Sequence, residues 1–262
     1  MLELDRVSFN YAGNTALREV TTEAEAGQLV ALTGQNGSGK STLLKVIARV
    51  IMPSSGAVRF EGRSLREWGG REYARSVGYL PQEPDATFSM RAIDIVVSGR
   101  APFLTRFGWE GENDFALAAE ALEMCDGGHL ASRYLDEMSG GERKRVFLAR
   151  VLAARPKLIL LDEPLSALDV AHVQQFSILL RHIVDRTGST VIFASHDLNW
   201  AAAYSDRVLV MRDGTLAADL TPDEIMRPEI VRDLFGFAAS TVSSGGRTWI
   251  VPDVGGGGGI EN

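Results

Sequence analysis

Leu2, Leu4, Val7 and Phe9 set apolar side chains at nearly alternate positions, which predicts an opening strand. Residues 28–33 form a compact apolar run that ends at glycines, and from residue 41 the period changes. Leu43, Leu44, Ile47 and Val50 fall at helical spacing, so the segment reads strand, glycine loop, helix. Residues 158–161 are apolar without alternation, the pattern of a strand covered on both faces. A third such strand is expected at 190–194, after a helix-like stretch at 173–184 and a stop at Thr187-Gly188. Strands alternating with helices predict a mainly parallel sheet covered by helices, whereas the early segments, with 20–25 between turns, read as antiparallel.

The middle of the chain reads differently. Residues 92–98 and 114–125 are helical in pattern, the second with Leu117, Ala121, Leu122 and Met124 on an uneven apolar face. The expected organisation is a nucleotide-binding α/β core with an antiparallel β subdomain at 1–89 and 156–220. A helical subdomain at 90–155 is inserted into it. A C-terminal appendage at 221–254 is expected to hold short helices at 222–226 and Pro228–Phe235 and a strand at 248–251. Residues 255–262, rich in glycine, have little with which to pack and read as a flexible tail or an expression scar.

Composition narrows the function. The chain has 262 residues, 27 Lys+Arg against 34 Asp+Glu, and a formal charge of −7, which gives no bulk electrostatic reason to bind nucleic acid. One cysteine, Cys125, cannot form an internal disulfide and fits a reducing compartment as a buried thiol. No apolar run approaches the ~20 residues needed to span a bilayer, and Glu3 and Asp5 do not fit a signal peptide, so any membrane role is expected to be peripheral.

Gly34-Gln35-Asn36-Gly37-Ser38-Gly39-Lys40-Ser41 matches G-x-x-x-x-G-K-[ST] between the predicted strand and helix, with Thr42 next. Its glycines let backbone N–H groups turn inward around a phosphate chain, and the helix directs its positive end there. Lys40 would reach the outer phosphates and Ser41 would hold Mg²⁺. Asn36-Gly37-Ser38 also fits a glycosylation sequon, a reading dismissed because it lies inside the phosphate loop. Asp162 and Glu163 end the apolar run 158–161. In an open parallel sheet ligands gather beside the carboxyl ends of the strands, so these acids are expected to face the phosphates. Asp162 suits contact with Mg²⁺, direct or through water, and Glu163 suits the general base for the attacking water, a role that contributes about 10²–10⁴ in rate. The bland alternative is a solvated acidic loop end.

Between these sites stands Met138-Ser139-Gly140-Gly141-Glu142, leading into a helix. With Tyr11, Gln82 in Tyr79-Leu80-Pro81-Gln82, Ser166-Ala167-Leu168-Asp169 and His196, all in order, the chain resembles the ATP-binding subunits of ABC transporters over about residues 1–220. The resemblance implies a P-loop ABC ATPase: a RecA-like, mainly parallel sheet core, an antiparallel β subdomain and an inserted helical subdomain. It implies ATP and Mg²⁺ as ligands and two subunits facing head to tail. Each nucleotide would lie between one chain's phosphate loop and the other's Ser139, Gly140 and Gly141, with Glu142 beside them. Tyr11 would be the adenine platform. Gln82 would sense the γ-phosphate and Mg²⁺, His196 would clamp the γ-phosphate and the water, and Asp169 would arrange the opposite site. Met138 stands where leucine is usual and Arg143 where glutamine is frequent, neither removing an essential hydrogen-bonding group. Outside the motifs, His129, His172 and His182 carry no metal-ligand spacing and read as structural or solvated, and Glu142–Arg145 reads as a solvated charged face.

Gly99-Arg100-Ala101-Pro102 and the stretch Ile230 to Gly236 look like the branch that imports iron–siderophore complexes, haem and cobalamin, with Phe103 where that branch often carries histidine. Partners implied are a second copy, two integral membrane permease subunits and, indirectly, an extracytoplasmic substrate-binding protein. The implied place is the cytoplasmic face of the inner membrane. A competing reading is an ABC ATPase serving soluble machinery such as iron–sulfur cluster assembly. DNA-repair relatives need long coiled-coil insertions and translation relatives a duplicated cassette, neither of which is present. A phosphate-loop kinase would leave Ser139–Glu142 unexplained.

Overall fold

The computed structural model describes residues 1–82, 89–105, 108–166 and 168–253; the glycine-rich stretch 255–262 lies outside the described residues. The chain opens with β1 (Leu2–Tyr11) and β2 (Asn14–Ala24), paired antiparallel with Leu2 opposite Ala24. The buried β3 (Leu29–Thr33) follows, then the glycine loop and α1 (Lys40–Ile47). β4 (Ser55–Phe60) returns beside β1 and the two-residue β5 (Arg63–Ser64) completes a four-stranded antiparallel sheet of order β2-β1-β4-β5. Next come α2 (Gly70–Ser76), β6 (Val77–Leu80), and the helices α3 (Ala92–Val97), α4 (Glu112–Met124) and α5 (Gly140–Leu152).

The chain then returns to a sheet through β7 (Leu158–Leu161), α6 (Val170–Thr187), β8 (Thr190–Ser195), α7 (Leu198–Tyr204) and the hairpin β9 (Arg207–Arg212) and β10 (Thr215–Leu220). The six strands order as β10-β9-β3-β8-β7-β6, parallel except for the edge strand β10. The C-terminal part holds α8 (Pro222–Ile225), α9 (Pro228–Phe235) and a hairpin of β11 (Ala239–Ser244) with β12 (Arg247–Pro252).

The missing alternation in β3, β7 and β8 has a direct cause. Leu29, Ala31, Ile159, Leu161, Val191 and Phe193 join the core shared with α3 to α7, while Val30, Leu32, Leu158, Leu160, Ile192 and Ala194 pack on the opposite face. Both faces are dry, so every position is apolar; burying each such Leu, Ile or Val contributes about 1.5–3 kcal/mol. That second face packs on α1 residues Leu43, Leu44 and Ile47 and on Leu2, Leu4 and Phe60 of the antiparallel sheet. Cys125 is fully buried among α4 and α5 residues, and its thiol is pushed far up by desolvation, so it is an inert core side chain. Among the described residues no helix is long and apolar enough to cross a membrane.

Candidate functional site

The functional residues gather at the carboxyl ends of the parallel strands. Ser38 N donates to Gln35 O at 3.1 Å, and Gly34, Gly37 and Gly39 take φ of 144°, 78° and 105°. Steric room explains two of these glycines. A Cβ at Gly34 would sit 2.2 Å from Met211 O, and one at Gly39 would sit 2.7 Å from Ala16 O. Lys40 Nζ donates to Gly34 O at 2.8 Å and Gln35 O at 3.1 Å, and burial pulls its ammonium below the usual lysine range against the opposing pull of Glu163 and Asp162. Ser38 Oγ is buried beside these amides with no hydrogen-bond partner among the described residues.

Across the loop, Ser41 Oγ donates to Asp162 Oδ1 at 2.8 Å and Tyr79 OH donates to Asp162 Oδ2 at 3.4 Å. Asp162 is 3% exposed; desolvation raises its carboxyl above the usual range, only partly offset by the Ser41 and Tyr79 bonds. The next residue, Glu163, has φ of 47°, a left-handed conformation that costs a non-glycine residue about 1–3 kcal/mol. That turn aims its carboxylate back over the strand end. Gln82 Nε2 donates to Glu163 Oε2 at 3.0 Å, and His196 Nδ1 lies 3.9 Å from the same oxygen. Thus β3, β6, β7 and β8 each deliver one part of a single cluster.

A cleft of about 670 Å³ is lined by Tyr11, Asn36, Gly37, Gly39, Lys40, Ser41, Thr42, Gln82 and Glu163, while His196 lines a smaller pocket of about 210 Å³ that shares Glu163 with it. Arg18, Asp213 and Gly214 line the larger cleft too and were not anticipated. Asp213 (φ 50°) and Gly214 (φ 79°) form the turn between β9 and β10. Gly214 N donates to Ser38 O at 3.1 Å and Arg18 N to Gly214 O at 2.8 Å, so the turn braces the phosphate loop. An Asp-Gly pair between two apolar runs is a hairpin signal that could have located the turn, though not its neighbour.

Ser139 and Asp169 sit elsewhere. Ser139 caps α5: its Oγ accepts from Glu142 N at 3.3 Å, and Glu142 Oε2 accepts from Ser139 N at 2.8 Å. Ser139, Gly140 and Gly141 do not line the cleft of their own chain. Asp169 caps α6 and accepts from His172 N at 2.9 Å, with His172 Nδ1 at 2.8 Å, and these bonds hold its carboxyl below the usual range. His172, read as structural or solvated, is exposed and caps against Asp169, and its Cδ2 lies 3.3 Å from where a Cβ on Gly141 would sit. The charged stretch Glu142–Arg145 is likewise no mere solvated face. Glu142 pairs with Arg133 at 2.7 Å, Arg143 donates to the Leu135 and Met138 carbonyls, Lys144 binds Ser166 O, and Arg145 reaches Asp126 and Gln175. A sequence window sees the charges but not the loops folded against them.

The profile of the ABC transporter family matches residues 17–166. The chain belongs to the ABC transporter family. It is an ATP-hydrolysing nucleotide-binding subunit, with the mixed α/β fold of that family. Over 243 residues it is 39% identical to the hemin import ATP-binding protein HmuV of Gloeobacter violaceus, covering 90% of this chain and 87% of the relative. It is 31% identical over 242 residues to the iron(3+)-hydroxamate import ATP-binding protein FhuC of Bacillus subtilis, covering 92% and 90%. Among solved structures, a metal-chelate type ABC transporter in an inward-facing conformation matches with TM-score 0.83 at 29% identity, over 96% of both chains. A dimeric ATP-binding cassette bound to ADP and Pi matches with TM-score 0.74 at 28% identity, over 85% of this chain and 99% of the other.

Proposed function

We propose that this ABC ATPase hydrolyses Mg-ATP to power uptake of an iron chelate, haem or a ferric siderophore, as the peripheral subunit of a multi-subunit importer. The observation that carries the reading is the convergence of Lys40, Ser41, Asp162, Glu163, Gln82 and His196 on one strand-end cluster in a chain 39% identical to a hemin import subunit. Cobalamin belongs to the same branch by the Gly99–Pro102 resemblance, while the relatives named above carry hemin or ferric hydroxamate in their names.

The donor set fits Mg²⁺. Ser41 Oγ and Asp162 Oδ1 are hard oxygen donors already 2.8 Å apart, the kind of ligand a small divalent cation takes beside phosphate oxygens. Ser41 and Asp162 would hold the ion, with Gln82 near it; bound there, Mg²⁺ supplies neutralisation of phosphate charge. The chain's own groups do the rest. Backbone amides at residues 37–41 and the Lys40 ammonium bind the β- and γ-phosphates. Tyr11, exposed and edge-on to Phe9 at 4.8 Å, offers a ring to the adenine. Glu163 takes the proton of the attacking water, Gln82 holds the Glu163 carboxylate in place, and His196 orients the γ-phosphate.

The opposite wall is a second copy. Ser139 is exposed, and the space over Gly140 is open, with no heavy atom within 4 Å of its Cβ position. A partner's γ-phosphate can there meet a serine hydroxyl and the amides of a helix start. When that phosphate leaves, the grip weakens and the dimer opens. The permease docks in a groove of about 590 Å³ between β6, the Gly99–Pro102 turn and α5 residues such as Phe147 and Val151. The protein thus works at the cytoplasmic membrane face.

Glu163→Gln tests the chemistry: ATP binding persists, turnover falls by about 10²-fold or more, and the closed dimer accumulates in gel filtration with ATP. Parent-like hydrolysis with the permease present would remove Glu163 from the role of base. A pull-down of the full chain decides the setting, since recovery of integral membrane permeases supports import and recovery of a soluble scaffold refutes it.

A further inference from the structure

His196 follows the last residue of β8 and precedes Asp197, which caps α7 by accepting from Trp200 N at 3.0 Å. Its side chain is 63% exposed, so core packing does not hold the ring itself; its backbone is held between the end of β8 and the cap of α7. One face of α7 is held by the core, where Trp200 packs edge-on against Phe193 at 5.1 Å and Ala201 is fully buried. The remaining restraint comes from far along the chain. Asn199 Nδ2 donates to Ile250 O at 3.0 Å, and Ile250 N donates to Asn199 Oδ1 at 2.7 Å.

A side-chain amide exchanging both bonds with one backbone residue acts as an extra peptide unit laid along the edge of β12. Ile250 itself is 5% exposed and joins the main core, and Arg247 lies 4.8 Å over the Tyr204 ring at the far end of α7. The appendage also reaches the phosphate loop, where Gln35 Nε2 donates to Phe235 O at 3.4 Å. It therefore touches both the loop that cradles phosphate and the helix that begins two residues after His196.

We infer that the C-terminal hairpin is a splint that positions His196, with Asn199 as the positioning residue. The inference rests on the reading of His196 as the γ-phosphate contact. Asn199 lines neither the 670 Å³ cleft nor the smaller pocket where His196 meets Glu163, so its loss is expected to act through the start of α7 and not through nucleotide affinity.

Steady-state ATP hydrolysis by the full chain, as parent, Asn199→Ala, His196→Ala and the double variant, tests this. Asn199→Ala is expected to lower kcat about 10-fold with KM for ATP within about twofold of the parent, and to add less than about twofold once His196 is gone. Equal effects of Asn199→Ala with and without His196 would show that Asn199 acts elsewhere and overturn the splint; so would an unchanged kcat. If His196→Ala turns over like the parent, the reading of His196 itself falls. Asn199→Asp keeps the acceptor for Ile250 N–H but sets a carboxylate against Ile250 O, and is judged by the same criteria should the alanine variant not fold. Hydrogen exchange over 196–204 is expected to quicken in either Asn199 variant while β3 and β8 stay protected; unchanged exchange there refutes the splint independently.

Discussion

Arg100 carries a prediction that can be worked from geometry. The residue is 8% exposed, and its guanidinium donates from Nε to Asp114 Oδ1 at 3.0 Å and from Nη1 to Ala153 O at 3.1 Å and lies 3.8 Å over the Phe103 ring. Arg100→Ala deletes a charge-assisted bond worth about 1.5–3 kcal/mol and strands a backbone acceptor at about 1–3 kcal/mol. The cation–π contact contributes about 1–2 kcal/mol more. These terms share one side chain and are not additive. Asp114 keeps its bond from Gly111 N at 3.1 Å and is partly open to water, which trims the loss. The net expectation is a loss of about 3 kcal/mol, because a paired group is taken away and its partners remain. At about 2–4 °C per kcal/mol that lowers Tm by about 6–12 °C. Urea and thermal denaturation of Arg100→Ala, Asp114→Ala and Arg100→Met/Asp114→Leu check it. The last replaces both charges by apolar volume and should return to within about 1 kcal/mol of the parent. The Arg100 bond, then Gly111, holds the Asp114 carboxyl below its usual range. Its contribution is therefore present above the unfolded-state value and lost as pH falls through the folded one, so parent and Arg100→Ala converge only in acid. A loss under about 1 kcal/mol, or single variants whose costs simply add, would refute the buried-fork account of this turn.

Three further outcomes follow from the geometry. Burial makes Asp162 hold its proton to higher pH in the folded state than in the unfolded chain, so its charge is a penalty at neutral pH and not in acid. Asp162→Asn should then raise Tm of the nucleotide-free protein at pH 7 by a few degrees, with the gain vanishing toward pH 3, while ATP hydrolysis falls by at least about 10²-fold; melts across pH with turnover assays test both. Gly99→Ala puts a Cβ 2.0 Å from Arg150 O on α5 and should cost about 1–3 kcal/mol, read by denaturation, because backbone rather than a side-chain tip must yield. Tyr11→Ala should raise KM for ATP about 5- to 10-fold with kcat within about twofold, measured by steady-state kinetics, since a stacked base is held equally in ground and transition states.

Gly99 also shows why some of this protein was legible in advance and some was not. The run at 158–161 matches β7, and the glycine loop between β3 and α1 was readable because sequence neighbours build it. The sequence analysis placed no strand at β6 or β9: the first is only four residues long and the second is buried on both faces, so only their partners tell them from helix. The amino-acid order determined which chemical groups exist and on which local element each rides, since a phosphate loop, a strand-end acid pair and a helix cap are set by residues a few positions apart. Tertiary structure alone decided their meeting: Ser41 with Asp162, Gln82 with Glu163, the Asp213-Gly214 turn against Ser38, Asn199 against Ile250. Those distances span strands separated by whole crossovers, and their closure is driven by burial of both sheet faces, a property of the assembled layers and of no single segment.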